Sequence, residues 1–252
     1  MIKYGIKLWS INKECFKEAV ELFEKGKIDF IELYIVPDSF ELKEFEIFKD
    51  IPTILHTPHL AHNFNVFDLQ EAQIEIFKNQ VVKTADFLNS SFIILHSGIG
   101  QSKEIFQKNT SLIQDKRILI ENLPKISLDD RICFGYSLEQ LEFIKECGFD
   151  VCLDLGHAVK SATSQKLDYK YFIESLISKL KPFYFHISGV EKDKEKDKHL
   201  NLFEGNFDLR WMKDVLVDLA NERDIYLVFE VPKTEDNLEN YIKNIEYFKS
   251  NV

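Results

Sequence analysis

Six apolar runs of this chain end on a residue that can bind a metal. His56 closes Thr53-Ile54-Leu55, His96 closes Ile93-Ile94-Leu95, Glu121 closes Leu119-Ile120, and Asp154 closes Cys152-Leu153. His186 closes Tyr184-Phe185 and Glu230 closes Val228-Phe229. His157 follows Asp154 closely, and Asp197 and His199 follow His186. Five imidazoles and four carboxylates around one cavity would suit a cluster of divalent ions better than a single structural ion. A lone histidine at a strand end is more often a hydrogen-bonded structural residue. That explanation weakens when six strands repeat the pattern, because an unpaired buried carboxylate is costly. No cluster of inward Arg or Lys is evident to pair Glu121, Asp154 and Glu230, whereas metals would satisfy all three.

To gather residues from His56 to Glu230, the chain must bring every run to a common rim. Strands are expected near Tyr4–Trp9, Phe30–Ile35, Thr53–His56, Phe92–His96, Arg117–Asn122, Val151–Asp154, Phe183–Ile187 and Tyr226–Val231. Helical periodicity falls at Lys13–Lys25, Leu69–Leu88, Leu138–Cys147, Tyr169–Leu180, Leu209–Asn221 and Glu235–Phe248, with weaker, shorter signals after the second and fourth strands. Ser137 to Gln140 resembles a helix start with a capping pair, and Gly148 sits where that helix should stop. His157 is expected to reach the rim from a loop beyond its strand. Strands alternating with helices predict an α/β fold, a single (β/α)8 TIM-barrel domain over residues 1–252. A doubly wound open sheet gives a similar one-dimensional pattern.

Side-chain alternation favours the barrel. If each ligand points inward, so does the residue two before it: Ile54, Ile94, Leu119, Cys152, Tyr184 and Val228, mostly barrel filling. The intervening Leu55, Leu95, Ile120, Leu153, Phe185 and Phe229 would face the helices, and all are apolar. In a parallel barrel the C-terminal strand ends meet at one mouth, where catalytic residues collect.

Composition agrees with a large core. The 252 residues are 45% hydrophobic with 22 Phe, and no apolar run is long enough for a membrane span. The start of the chain enters a strand without a secretory cleavage pattern. The four cysteines, Cys15, Cys133, Cys147 and Cys152, lack CxxC spacing and read as buried free thiols in a reducing cytoplasm. A net charge of −10 argues against a nucleic-acid partner only until metals are counted, since three divalent ions would bring it to −10 + 6 = −4.

In chain order stand His56-Thr57-Pro58-His59, His96-Ser97-Gly98, Glu121-Asn122-Leu123-Pro124, Asp154-Leu155-Gly156-His157-Ala158, His186-Ile187-Ser188, Asp197-Lys198-His199 and Phe229-Glu230-Val231. In these motifs the chain resembles the endonuclease IV family (AP endonuclease family 2) of the xylose-isomerase-like TIM barrels. The resemblance implies one metal on His56, His96 and Glu121, and a second sharing Glu121 and adding Asp154, His186 and Glu230. A third would use His157, Asp197 and His199. Nitrogen and oxygen ligands without thiolate suit up to three Zn2+, or Mn2+. The implied activity is hydrolysis of a phosphodiester, at abasic sites in DNA for this family, by a hydroxide bridging two metals at Glu121. No Ser/His/Asp arrangement is then needed.

The chain departs from that family where DNA is gripped. Its members place an aromatic after the first ligand motif and an Arg-bearing loop after the second strand. Here the first loop has His59 in the aromatic's place and keeps Leu60 as a wedge. The second reads Val36-Pro37-Asp38-Ser39-Phe40-Glu41-Leu42-Lys43, acidic and without Arg. A competing expectation is a sugar or sugar-phosphate isomerase or epimerase of the same superfamily. It would bind one metal through Glu121, Asp154, His186 and Glu230 and use Glu121 and Glu230 as acid and base. Inward-facing Glu32 would touch substrate in that chemistry, or else pair with Lys7. Trp9 and Trp211 are candidate pocket walls. The isomerase leaves His56, His96 and the Asp197/His199 pair without a task. A barrel that binds metal or a sugar phosphate without turnover is the third, non-enzymatic expectation.

Overall fold

The computed structural model describes residues 1–232 and 237–250. Eight parallel strands close a barrel in sequence order. They are β1 (Ile2–Trp9), β2 (Phe30–Tyr34), β3 (Thr53–His56), β4 (Ile93–His96), β5 (Ile118–Glu121), β6 (Asp150–Asp154), β7 (Tyr184–Ile187) and β8 (Ile225–Phe229). The open-sheet alternative fails because β1 pairs with both β2 and β8. The barrel interior is filled by Phe30, Ile54, Ile94, Leu119, Cys152, Tyr184 and Val228. Six of these seven are the residues that alternation from the ligands predicts. The seventh, Phe30, needs Gly5 on the neighbouring strand, since a Cβ there would lie 2.4 Å from its ring.

The second apolar layer lies between strands and helices and takes Leu55, Leu95, Ile120, Leu153, Phe185 and Phe229. The helices are α1 (Phe16–Glu24), α2 (Glu71–Ile76), α3 (Lys83–Phe87), α4 (Lys103–Thr110), α5 (Leu138–Glu146), α6 (Leu155–Gln165), α7 (Tyr169–Leu180), α8 (Leu209–Glu222) and α9 (Glu239–Ser250). A π-helical segment, Phe77–Val82, joins α2 to α3, so the long helix expected at Leu69–Leu88 is present but its winding changes midway. The weak signal after β2 corresponds to a 3-10 segment, Leu42–Phe48, which buries Phe45 and Phe48. Residues 235 and 236 of the last expected helix lie outside the described residues.

Ser137 caps α5 by accepting from Gln140 N, and Gly148 ends that region at φ +91°. Gln140 does not complete the reciprocal cap. Its carboxamide oxygen instead accepts from the Gly135 and Tyr136 amides. Cys15, Cys133 and Cys152 are buried free thiols, whereas Cys147 is only half-buried. No described helix is long and apolar enough to cross a membrane.

Candidate metal centre

Strand register places the ligand residues side by side. His96 pairs with Glu121 across β4 and β5, and Asp154 pairs with His186 across β6 and β7. Glu121 is fully buried at the middle of the set. Its Oε2 lies 3.2 Å from both His56 Nε2 and His96 Nε2. Its Oε1 lies 3.4 Å from His186 Nδ1 and 3.4 Å from His157 Nδ1. One carboxylate thus turns its two oxygens to two groups of imidazoles, the disposition of a bridging ligand.

His186 Nδ1 also stands 2.9 Å from Glu230 Oε1. Asp197 Oδ2 lies 2.6 Å from His199 Nε2 and 3.5 Å from His157 Nε2, and His199 Nδ1 lies 3.4 Å from Glu230 Oε2. Donor atoms within 4.8 Å of one another form the groups His56/His96/Glu121, Glu121/Asp154/His186/Glu230 and Asp154/His157/His199. The first two are the expected sets. In the third, Asp154 stands with the two histidines, and Asp197, the carboxylate expected there, lies against both of their Nε2 atoms.

His157 does not come from a loop. Helix α6 begins directly after β6, and Asp154 caps it by accepting the His157 amide at 2.6 Å. The ligand is therefore in a first helical turn. Asn122 holds both residues: it exchanges hydrogen bonds with the Asp154 backbone, and its carbonyl accepts from His157 Nδ1 at 2.8 Å. His56 Nδ1 likewise donates to the Thr57 carbonyl at 2.7 Å. Bonds of this kind fix which ring nitrogen faces a metal. Asn122 was visible in its motif, but nothing in sequence assigned it this work.

A fourth group, Glu32/His56/Glu230, lies at the barrel side of the centre. Lys7 fills it, 3.4 Å from Glu32 Oε1 and in contact with Glu230 Oε1. Glu230 therefore does have an inward lysine, contrary to the sequence expectation, because Lys7 pairs in register with Glu32 on β2. Glu32 is fully buried and does not line the cavity, so it is not placed to meet substrate. Its Oε2 accepts from Tyr184 Oη at 2.7 Å and from His186 Nε2 at 2.8 Å. It supports a ligand instead, leaving His186 Nδ1 aimed at Glu121 and Glu230.

Electrostatics divide the donor set. Burial and nearby Lys7 hold His56 below its ordinary value, favouring the neutral ring that a metal requires. Burial opposes a charge on His157, but Asp154 and Asp197 outweigh it and push the ring up to about 10. Burial likewise opposes ionised Glu121, yet His96 and His186 hold it well below the usual carboxylate range. Asp154 moves the other way, raised by burial and by the Glu230 and Glu121 charges.

The fit to metal rests on unfilled valences. Glu121 Oε1, Asp154 Oδ2, His186 Nδ1 and Asp197 Oδ2 are buried without a well-directed hydrogen bond, although His186 Nδ1 stands 2.9 Å from Glu230 Oε1 and Asp197 Oδ2 stands 2.6 Å from His199 Nε2. Four such atoms in one locus are costly unless a cation meets them. These residues suit divalent metal.

The centre opens into a cavity of about 930 Å³, bordered by His96, His157, Asp197, His199 and Glu230. Trp9, His59 and Leu60 line it as expected. Trp9 packs near Tyr34 with ring centroids 4.8 Å apart, and His59 stacks on His96 at 5.1 Å. Burial pushes the His59 imidazole down to about 2, so it is neutral. Trp211 lies away on α8 against Tyr169 and does not wall the cavity.

Known proteins share this sequence pattern and architecture. An uncharacterized protein of Methanocaldococcus jannaschii is 26% identical over 243 residues, spanning 86% of this chain and 88% of its own. A probable endonuclease 4 of Mycoplasmopsis pulmonis is 24% identical over 213 residues, 77% of this chain and 75% of its own. Among solved structures, endonuclease IV from Thermus thermophilus superposes with a TM-score of 0.72 at 17% identity, covering 98% of each chain. The family described as xylose isomerase-like TIM barrel matches residues 18–251, and this chain belongs to it.

Proposed function

We propose that this protein is a metal-dependent hydrolase of endonuclease IV type that acts on phosphodiesters. The observation that carries the reading is Glu121, whose two oxygens face separate imidazole groups within a locus holding four buried donor atoms that lack a well-directed hydrogen bond. Zn2+ or Mn2+ bound there would supply Lewis acidity and a nucleophilic water near neutral pH. The residues then have distinct tasks. Glu121 joins the two groups, His56 and His96 present nitrogens from β3 and β4, and Asp154, His186 and Glu230 hold the opposite side. His157, Asp197 and His199 border the cavity where a leaving oxygen would lie. In the net reaction a water oxygen bonds phosphorus, the phosphorus–oxygen bond to the leaving group breaks, and the proton passes to that leaving oxygen.

The single-metal isomerase remains the second reading because Glu121, Asp154, His186 and Glu230 form a four-donor group by themselves. It loses one support, since buried Glu32 is committed to His186, Tyr184 and Lys7. The separating assay offers the Zn2+- or Mn2+-loaded protein an abasic-site duplex and a simple aryl phosphodiester. Cleavage of either that chelator abolishes and His96→Ala reduces by about a hundredfold or more supports the hydrolase. Neither diester cut, together with interconversion of a ketose phosphate, would establish the isomerase instead.

A further inference from the structure

The walls of the cavity, unlike its floor, are poor in charge available to a nucleic-acid backbone. Among the described lining residues, the lysines and arginines are Lys7, Arg131 and Lys198. Lys7 is taken by Glu230 and Glu32, and Arg131 is tied to Asp129 through Nε at 2.9 Å. Exposed Lys198 is the remaining candidate for a phosphate. Duplex binders commonly neutralise about six to ten phosphates. The cavity lining falls far short of that.

Two apolar walls take the place of basic ones. Trp9 and His59 present flat rings on one side. Ile126 and Leu128 face the cavity from the β5–α5 connection, and Leu128 is 69% exposed at the rim. That connection is tied to the segment after β7, because Lys196 Nζ meets Asp130 at 2.8 Å and the Leu128 carbonyl at 3.0 Å. The volume, about 930 Å³, is that of a site for one small ligand.

Resting on the hydrolase reading above, we propose that the substrate is a small phosphate ester carrying an aromatic or similarly flat apolar group. The phosphate lies over the metal ligands, and the apolar group packs between Trp9/His59 and Ile126/Leu128. Duplex nucleic acid is not the ligand.

The test uses the full-length protein loaded with Zn2+ and measures binding, which needs no turnover. Phenylphosphonate, methylphosphonate and a labelled abasic-analogue duplex are titrated by calorimetry or anisotropy. Phenylphosphonate is expected to bind at least about tenfold tighter than methylphosphonate, the effect of burying one ring face. The duplex is expected neither to bind at moderate salt nor to displace phenylphosphonate. Leu128→Asp, at an exposed position that does not endanger folding, should shrink the preference for the phenyl group. Trp9→Ala should do so from the opposite wall, with bound metal unchanged in both variants. Equal affinity for the two phosphonates, or duplex that competes with a steep salt dependence, overturns the proposal. Diester hydrolysis without aromatic preference sinks the ligand class alone, and aromatic preference without hydrolysis of any diester sinks the hydrolase reading alone.

Discussion

Glu121 and Glu32 are both fully buried carboxylates on barrel strands, yet their surroundings give them opposite tasks. Glu121 keeps Oε1 without a hydrogen bond, directed at the donor groups. Glu32 also leaves Oε1 without a hydrogen bond, but turns it to Lys7 at 3.4 Å, and spends Oε2 on Tyr184 and His186. Sequence could place both residues inside the barrel but could not rank them, because the difference lies in partners from β1 and β7. Glu32→Gln tests the supporting role: the variant should still fold, but Zn2+ affinity should fall by about 10- to 100-fold as His186 loses its anionic acceptor. Unchanged affinity in equilibrium dialysis against a competing chelator would show that Glu32 merely fills space. Lys7 carries the same lesson. A lysine two residues before Trp9 is inward by alternation, but the pairing that makes it the partner of Glu230 appears only when β1 closes against β8.

At the level of elements, the strands were legible and some connections were not. Alternation is a local property of four or five residues, so the inner layer could be read from Ile54 through Val228. Helix α6 escaped because Asp154 serves two patterns at once, ending β6 and capping the helix that carries His157. A strand that passes straight into a helix leaves no loop composition to detect. The segment after β7 was readable only at its end, where Asp197 and His199 stand. Its placement depends on a close backbone approach, the bridge between Gly189 and Leu200. A Cβ at Gly189 would lie 1.9 Å from the Asn201 carbonyl oxygen, backbone that cannot swing aside. Gly189→Ala should therefore destabilise the protein by about 1–3 kcal/mol and weaken metal binding at His199. A variant with wild-type melting temperature and metal affinity would contradict this account of how the segment is held.

Across the whole molecule, closure of the sheet gives residues distant in sequence a common rim. A closed barrel has no edge strands, two apolar layers hold it, and polar residues are concentrated at the C-terminal mouth. Six of the nine proposed ligands could be read because they occupy corresponding places at the ends of successive strands, and His157, Asp197 and His199 were read from the motifs beyond those ends. Of the cavity walls, Trp9, His59 and Leu60 could be read, but Ile126 and Leu128 could not, since they come from a connection that meets the mouth only after folding. The same closure gathers Glu32, Glu121, Asp154, Asp197 and Glu230 in one locus where Lys7 meets only Glu32 and Glu230, so the remaining carboxylate charge is left to the imidazoles or to bound cations. The central claim is that this charge is met by several divalent ions sharing Glu121. Its most direct measurement is the metal content of protein stripped with chelator, reloaded with Zn2+ and dialysed to remove loosely bound ions. Close to three ions per chain is the predicted result, whereas one ion or none would contradict the bridged centre and the hydrolytic chemistry proposed from it.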